Sequence, residues 1–362
     1  MSEERIEEKS SELNALLTAA VNRDASDIFL IPGMPAAFKI HGQIEPIDER
    51  KILPGEMDHF IRAIYALTGG RDMERVLRTG DDDFSFSIQG LSRFRASVMK
   101  QRGSLAAVIR LVRFDLPSPE NLHIPESIMK LSQLPRGLVL VTGPAGSGKS
   151  TTLACIIDRI NRTRNAHVIT LEDPIEFLHR HQKSVVTQRE IGLDTDSYVD
   201  GLRAALRQAP DVILLGEMRD YETIRIAMTA AETGHLVIST LHTTGAANTI
   251  DRIIDIFPAN AQQQIRVQLS MVLQAVVSQQ LVPTTDGLLR PAFELMLLTK
   301  AIRNLIRESK IQQIDSIIAS GGAQGMMTMD GSLRQLWGEG VISADTAITY
   351  SQDSERMKNM VR

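Results

Sequence analysis

The stretch Arg136–Thr163, RGLVLVTGPAGSGKSTTLACIIDRINRT, constrains this chain more than any other. Gly137–Thr142 is short and nearly all apolar, as expected of a strand covered on both faces. Gly143–Ser147 is a glycine-rich turn, and from Lys149 the residues Leu153, Ile156, Ile157 and Ile160 recur at helical spacing. The pattern Gly143-x4-Gly148-Lys149-Ser150 therefore has the spacing and the strand–turn–helix context of a phosphate-binding loop.

The residue types follow from that chemistry. Glycines at Gly143, Gly146 and Gly148 let the backbone wrap closely around a phosphate, with Ala145 and Ser147 completing the turn. The helix N-terminus, opening with Ser150 and Thr151, adds partial positive charge. Lys149 supplies a mobile cation for the β- and γ-phosphates, and the Ser150 hydroxyl can ligate Mg²⁺. The reading is a nucleoside-triphosphate site.

At 362 residues there is room for two ordinary domains. A formal net charge of −4 gives no support for nucleic acid as the main partner, and 4% aromatics argues against base-stacking platforms. Cys155 is the only cysteine, so one chain forms no disulfide framework; a reducing compartment and a buried thiol are expected. The start, MSEERIEEKSSE, is unlike a secretory signal, and no apolar run approaches the ~20 residues that span a bilayer. A cytoplasmic protein able to dock onto a membrane assembly is the expectation.

Residues 1–112 read as a small α+β domain. A first helix carries Leu13, Leu16, Leu17, Ala20 and Val21, and strands are expected around Ser26–Ile31 and Ala37–His41. A helix over Pro54–Leu67 follows, then a period-two strand through Phe84, Phe86 and Ile88. In the hairpin Ser92–Met99/Leu105–Val112, Phe94, Ala96 and Val98 share one face while Arg93, Arg95 and Ser97 share the other; Arg110 lies on the return strand. A solvated face is the commonest role for such arginines. Pro117, Ser118 and Pro119 punctuate a linker over 113–121.

From 122 to 298 strands and helices alternate, the signature of a parallel α/β core. Ala166–Leu171, Val212–Leu215 and Leu236–Leu241 read as buried strands, Tyr198–Gln208 and Tyr221–Glu232 as helices, and Gln279–Val282 with Pro291–Leu298 as an edge hairpin. Residues 299–362 read as mostly helical.

In phosphate-loop α/β proteins the ligand sits at the carboxyl ends of the strands. Three strands end suitably there. One runs into Gly216-Glu217, a carboxylate placed for water activation. One runs into Glu172, Asp173 and Glu176. One ends in His242-Thr243-Thr244, with His235 at its start. Gly216 occupies the position where an aspartate commonly holds the metal, so Mg²⁺ falls to Ser150, nucleotide oxygens and water, with the Glu172–Glu176 carboxylates near.

The chain resembles the secretion-ATPase superfamily and, within it, the PilT-type retraction ATPases of bacterial type IV pili, the twitching-motility motors. GPAGSGKST resembles the Walker A segment, with Ala145 where Thr is usual. ITLEDPIEF at 169–177 is similar to the aspartate box, LRQAPDVILLGEMRD at 206–220 to Walker B, TGHLVISTLHTT at 233–244 to the histidine box, and AIRNLIRE at 301–308 to a C-terminal motif associated with retraction. Phe29 stands where a His is frequent.

The resemblance implies a hexameric ring of chains, each joining an N-terminal PAS-like α+β domain to a RecA-like P-loop ATPase domain with a helical C-terminal part. ATP would bind between domains, with Arg95 and Arg110, ahead of Arg102, completing the site and Arg203, Arg207 and Arg219 near the nucleotide or the interface. It also implies a catalytic set of Glu217, Glu172, Glu176 and His242, nucleotide contacts from Arg207, Arg219 and His235, and a partner in the inner-membrane platform at the pilus base. Alternatives are a retraction accessory paralogue, which VVTQREIGLDTDS and QQLVPTTDG resemble as much as they do the main motor, whereas GEMRD and AIRNLIRE favour the main motor, and an assembly or type II secretion ATPase, which typically carries an extra N-terminal domain and a tetracysteine module. From other classes, a motor on nucleic acid would need a basic channel, and a nucleotide-sensing scaffold would bind ATP without turnover.

Overall fold

The computed structural model describes residues 3–40, 42–112 and 116–361. The chain forms two compact units, Met1–Asp115 with Glu176–Leu178, and Leu116–Ile175 with His179–Arg362. His41 and residues 113–115, within an expected strand and the expected linker, lie outside the described residues. Residues 116–121 belong to the second unit, where Leu116 and Leu122 pack against its core.

The first unit contains α1 (Glu3–Asn22), β1 (Asp27–Leu30), β2 (Pro35–Ile40), β3 (Gln43–Lys51), α2 (Pro54–Ala66), α3 (Glu74–Thr79), β4 (Asp81–Ile88), β5 (Ser92–Gln101) and β6 (Ser104–Val112). Its sheet runs β3-β2-β1-β6-β5-β4, every neighbouring pair antiparallel. Phe94, Ala96, Val98, Ala107 and Ile109 bury one face against Leu13 and Leu17 of α1 and Phe60, Ile61 and Ile64 of α2. The period-two alternation in β5 makes this possible, since one face can be wholly apolar while the other stays polar. Under that core the carboxylate of Asp82 is shielded, and it accepts from Arg71 at 2.6 Å and from the Tyr65 hydroxyl at 2.8 Å.

The second unit contains α4 (Glu126–Met129), β7 (Gly137–Thr142), α5 (Lys149–Thr163), β8 (His167–Glu172), β9 (Val185–Glu190), α6 (Tyr198–Ala205), β10 (Val212–Leu215), α7 (Tyr221–Glu232), β11 (Leu236–Leu241), α8 (Ala246–Asp255), α9 (Ala259–Val272), β12 (Leu273–Pro283) and β13 (Leu289–Leu297). The helices α10 (Lys300–Arg307), α11 (Ile314–Ser320), α12 (Met329–Gly338), α13 (Ala344–Tyr350) and α14 (Ser354–Met360) follow. The sheet order is β13-β12-β7-β11-β10-β8-β9, parallel except for the β12–β13 hairpin, whose second strand is the edge.

Every residue of β7, β10 and β11 is buried because helices cover both faces. Leu138, Leu140, Ile213, Leu215 and Val237 face α7, α8 and α9. Val139, Val141, Val212, Leu214 and Ile238 face α5 through Leu153, Ile156, Ile157 and Ile160. Continuous apolar strands with helices between them leave a parallel sheet as the arrangement that buries both faces.

Candidate functional site

The phosphate loop leaves the carboxyl end of β7 and enters α5. Gly143 has φ of +142°, and a Cβ there would stand 2.1 Å from the backbone oxygen of Gln279 on β12. Gly148 has φ of +86°, and its Cβ would meet Gln279 Nε2 at 2.8 Å. Both positions have a backbone conformation that favours glycine, and at Gly143 the neighbouring strand's backbone leaves no space for a side chain either. Gln279 thus shapes the loop from the neighbouring strand, and its Oε1 accepts from Thr152 of α5 at 2.7 Å.

Lys149 is buried, and its Nζ donates to the carbonyls of Gly143 at 3.0 Å and Pro144 at 2.8 Å. The ammonium is therefore held across the mouth of the loop, beside the exposed crest Pro144-Ala145-Gly146 and the exposed Ser150, with Thr151 partly covered behind it. The hydroxyls of Ser147 and Thr142 are buried with no hydrogen-bond partner. A close-fitting glycine cradle, unspent hydroxyls and a helix N-terminus match what a phosphate chain requires.

The other polar strand ends sit beside it in the order of the sheet. β11, next to β7, ends at His242; β10, next again, runs into Gly216-Glu217; β8 ends at Glu172. Glu217 is 12% exposed, and its Oε2 takes the Nε of Arg219 at 2.5 Å and faces Nε2 of His242 at 3.5 Å. Both partners lie on Oε2, and Oε1 makes no hydrogen bond among the described residues. The bond to Glu217 holds Arg219 above the usual guanidinium range. His242, at 55% exposed, is not the buried structural histidine that its strand position also allows.

Glu172 is oriented through Oε1, which accepts from Thr170 at 2.6 Å and from Gln188 of β9 at 3.2 Å. Glu176 falls within the first unit. A Cβ on Gly216 would come 2.7 Å from the Tyr198 hydroxyl, so a side chain there would displace that hydroxyl. Cys155 is buried in α5, and burial pushes its thiol up to about 12, so it is an inert core group.

Two residues expected to contact nucleotide lie at the other end of the sheet from this chain's own loop. His235 precedes β11 at the amino end of the sheet, where its carbonyl accepts from Gly137 at 2.9 Å and its Nδ1 donates to Ala230 at 2.9 Å. That is the far end of β7 from the loop, roughly 17 Å along the strand at about 3.3 Å per residue. Arg207 follows α6 at the same amino end, one residue before Gln208, whose carbonyl holds His167. Neither reaches this chain's own phosphate loop. Sequence reasoning placed them by segment, whereas the ends of one segment lie at opposite edges of the sheet.

In the first unit Arg95 and Arg110 are directly opposed across β5 and β6 and so share a face. Asp27 is opposite Arg110 on β1 and accepts from its Nε at 2.8 Å, although Arg110 stays 67% exposed. Arg102 sits in the β5–β6 turn with φ of +49°. Gln279 and Tyr198 were missed as site residues; their only sequence signals are a polar residue within a valine-rich strand and a tyrosine opening a helix.

For Mg²⁺, the exposed Ser150 hydroxyl at the start of α5 fits one ligand position beside the loop. Among the described residues no three His, Cys, Asp or Glu side chains are grouped to hold a metal.

The model of the family "Type II/IV secretion system protein" matches residues 3–329. The "Type IV pilus retractation ATPase PilT" of Pseudomonas aeruginosa is 45% identical over 336 residues, 93% of this chain and 97% of the relative. The "Twitching motility protein" of Neisseria gonorrhoeae is 44% identical over 348 residues, covering 95% and 91%. Among solved structures, "Crystal Structure of the Pilus Retraction Motor PilT and Bound ADP" superposes with a TM-score of 0.87 at 44% identity, covering 96% of this chain and 98% of that one. With a phosphate loop, an oriented carboxylate and a histidine at successive strand ends, and a family match over most of its length, the chain belongs to the type II/IV secretion system protein family.

Proposed function

We propose that this chain is an ATPase motor that drives retraction of type IV pili. The observation that carries the hydrolytic half is the arrangement of Glu217: Arg219 binds Oε2 and His242 stands 3.5 Å from the same oxygen, which leaves Oε1 to accept a proton from water. The phosphate loop holds the nucleotide, Lys149 moves its contacts from two carbonyls to phosphate oxygens, and Glu217 lines up the attacking water. The Ser150 hydroxyl would hold Mg²⁺, which would supply neutralisation of the phosphate charge. The retraction half is supported by the pilus motors to which the chain is similar over nearly its full length.

Arg95 and Arg110 are the arginines that would stabilise the transferring phosphoryl group, and the Arg95 side chain makes no hydrogen bond or ion pair among the described residues. Work on a fibre further calls for a ring of such chains, a hexamer, acting on a platform protein at the cytoplasmic face of the inner membrane. No described helix is long and apolar enough to cross a membrane. Deletion of the gene should leave surface pili in excess and abolish twitching, while purified chain releases phosphate from ATP. Loss of pili on deletion would make it an assembly motor, and binding without phosphate release would make it a nucleotide sensor. Arg95→Ala or Arg110→Ala should lower turnover by ~10³-fold with ATP still bound; wild-type rates in both variants would return that face to solvent.

A further inference from the structure

The aspartate that commonly precedes the glutamate at this strand end is absent, and something else fills its place. A Cβ built on Gly216 would lie 2.7 Å from the Tyr198 hydroxyl, so the phenol of α6 occupies the volume into which a side chain at 216 would project. The ring is anchored, since Tyr198 packs against the core that Leu171, Leu202 and Leu215 share. Its hydroxyl makes no hydrogen bond among the described residues, and the carboxylates of Glu217, Asp173 and Glu172 all bear on it. Burial first, then those carboxylates, raise the phenol above its ordinary value, while Arg219 acts weakly in the other direction. It stays protonated throughout the physiological range.

We infer that Tyr198 is a positioning residue for hydrolysis, its hydroxyl donating to the water that Glu217 lines up. This rests on the reading of Glu217 as the water-orienting carboxylate. A water attacking phosphorus donates one proton to Glu217 Oε1 and presents one lone pair to phosphorus, which leaves a second lone pair to be fixed. Carboxylates cannot donate, Arg219 turns its Nε to Glu217 Oε2, and His242 stands 3.5 Å from that same oxygen, so both are directed to Oε2 and not to Oε1. A neutral O–H on the Gly216 side of Glu217 supplies the missing donor without adding charge to an acidic corner. Gly216 is then required for a specific reason: any Cβ there would push the hydroxyl aside.

The test uses the full chain at saturating ATP. Tyr198→Phe keeps the ring and should lower kcat about tenfold, the worth of one oriented hydrogen bond. KM for ATP, ADP affinity by calorimetry and the melting temperature should stay at wild-type values. Gly216→Ala should produce a similar loss in kcat, and Tyr198→Phe/Gly216→Ala should be no slower than Tyr198→Phe, because the displaced group is already gone. Wild-type kcat in Tyr198→Phe overturns the inference, as does multiplication of the two losses in the double variant. Failure of the wild-type chain to hydrolyse ATP at all would instead remove the reading of Glu217 and take this inference with it.

Discussion

At the amino end of the parallel strands the polar groups are committed to one another, whereas at the carboxyl end several are held in readiness. His167 donates from Nδ1 to Gln208 at 2.9 Å and meets Thr187 at 3.0 Å through Nε2, while Asp211 accepts from the His167 backbone at 2.8 Å. At the other end Ser147 and Thr142 carry buried hydroxyls without partners, and Glu217 keeps one oxygen unpaired. Unmade hydrogen bonds of buried groups cost about 1–3 kcal/mol each. A fold tolerates that cost where a ligand offsets it, so the difference between the ends marks which one is the site.

The largest effect that would break this contrast is at Lys149. Its Nζ is held by two loop carbonyls and must be the cation that a phosphate chain meets. Lys149→Ala should weaken ATP binding by ~10²-fold or more, the loss of one to two charge-assisted hydrogen bonds. Calorimetry showing wild-type affinity would remove the loop from the site. Next in size is Glu217→Gln, which keeps shape and loses the proton acceptor. Turnover should fall by ~10²-fold or more with ATP affinity retained. Near-normal phosphate release would move the role to Glu172, the other oriented carboxylate at a strand end.

Legibility in the sequence followed the same division. The strands Gly137–Thr142, Val212–Leu215 and Leu236–Leu241 and the helix Tyr221–Glu232 have the bounds read from the sequence, because buried apolar runs between turn residues leave few alternatives. β3 and β9 were not legible: QIEPIDERK is a polar edge strand containing Pro46, and VVTQRE is an edge strand with Val185 exposed. β12 begins at Leu273, directly after α9, so no turn residue announces the change from helix to strand. At the site, the loop and the strand-end carboxylates were readable because they are local. Gln279, Tyr198 and the Glu217–His242 approach arise from strand order, which no local spacing encodes.

A smaller effect should sharpen the picture behind His242. Glu294 on β13 is buried, and its carboxylate accepts from Ala246 at 2.7 Å, Gln352 at 3.1 Å and Met329 at 3.4 Å. It thereby fixes the start of α8, just past His242-Thr243-Thr244, to the C-terminal helices. Burial raises Glu294 from its ordinary 4.5, these bonds oppose the rise, and Asp315 adds to it. The folded chain therefore keeps a proton that the unfolded chain has already lost, so stability falls as pH climbs from about 4.5 through the folded value and then levels. Glu294→Gln should flatten that fall in melting temperature; Asp315, raised by its own burial, would retain part of it. An unchanged slope would show that Glu294 is ionised in the folded chain throughout.

The smallest expected effect is the strictest check on the division between the two ends. His235 lies within the stretch that resembles the histidine box, yet its ring is spent on the turn before β11: Nδ1 donates to Ala230 at 2.9 Å and sits 3.3 Å from the Thr233 hydroxyl. Truncation leaves the buried Ala230 carbonyl still accepting from the His235 backbone at 3.2 Å and the Thr233 hydroxyl at 3.1 Å, so His235→Ala should cost about 1 kcal/mol of stability, the net worth of one hydrogen bond. The backbone bond from Gly137 to the His235 carbonyl does not depend on the side chain and should survive. ATP affinity and turnover should both stay within about twofold of wild type, because RT ln 2 is about 0.4 kcal/mol and no phosphate contact is lost. A tenfold drop in affinity with stability intact would mean that this imidazole acts on nucleotide after all. Since the far end of β7 cannot reach its own loop, that nucleotide would belong to another copy of the chain, and the amino end would become half of a second site.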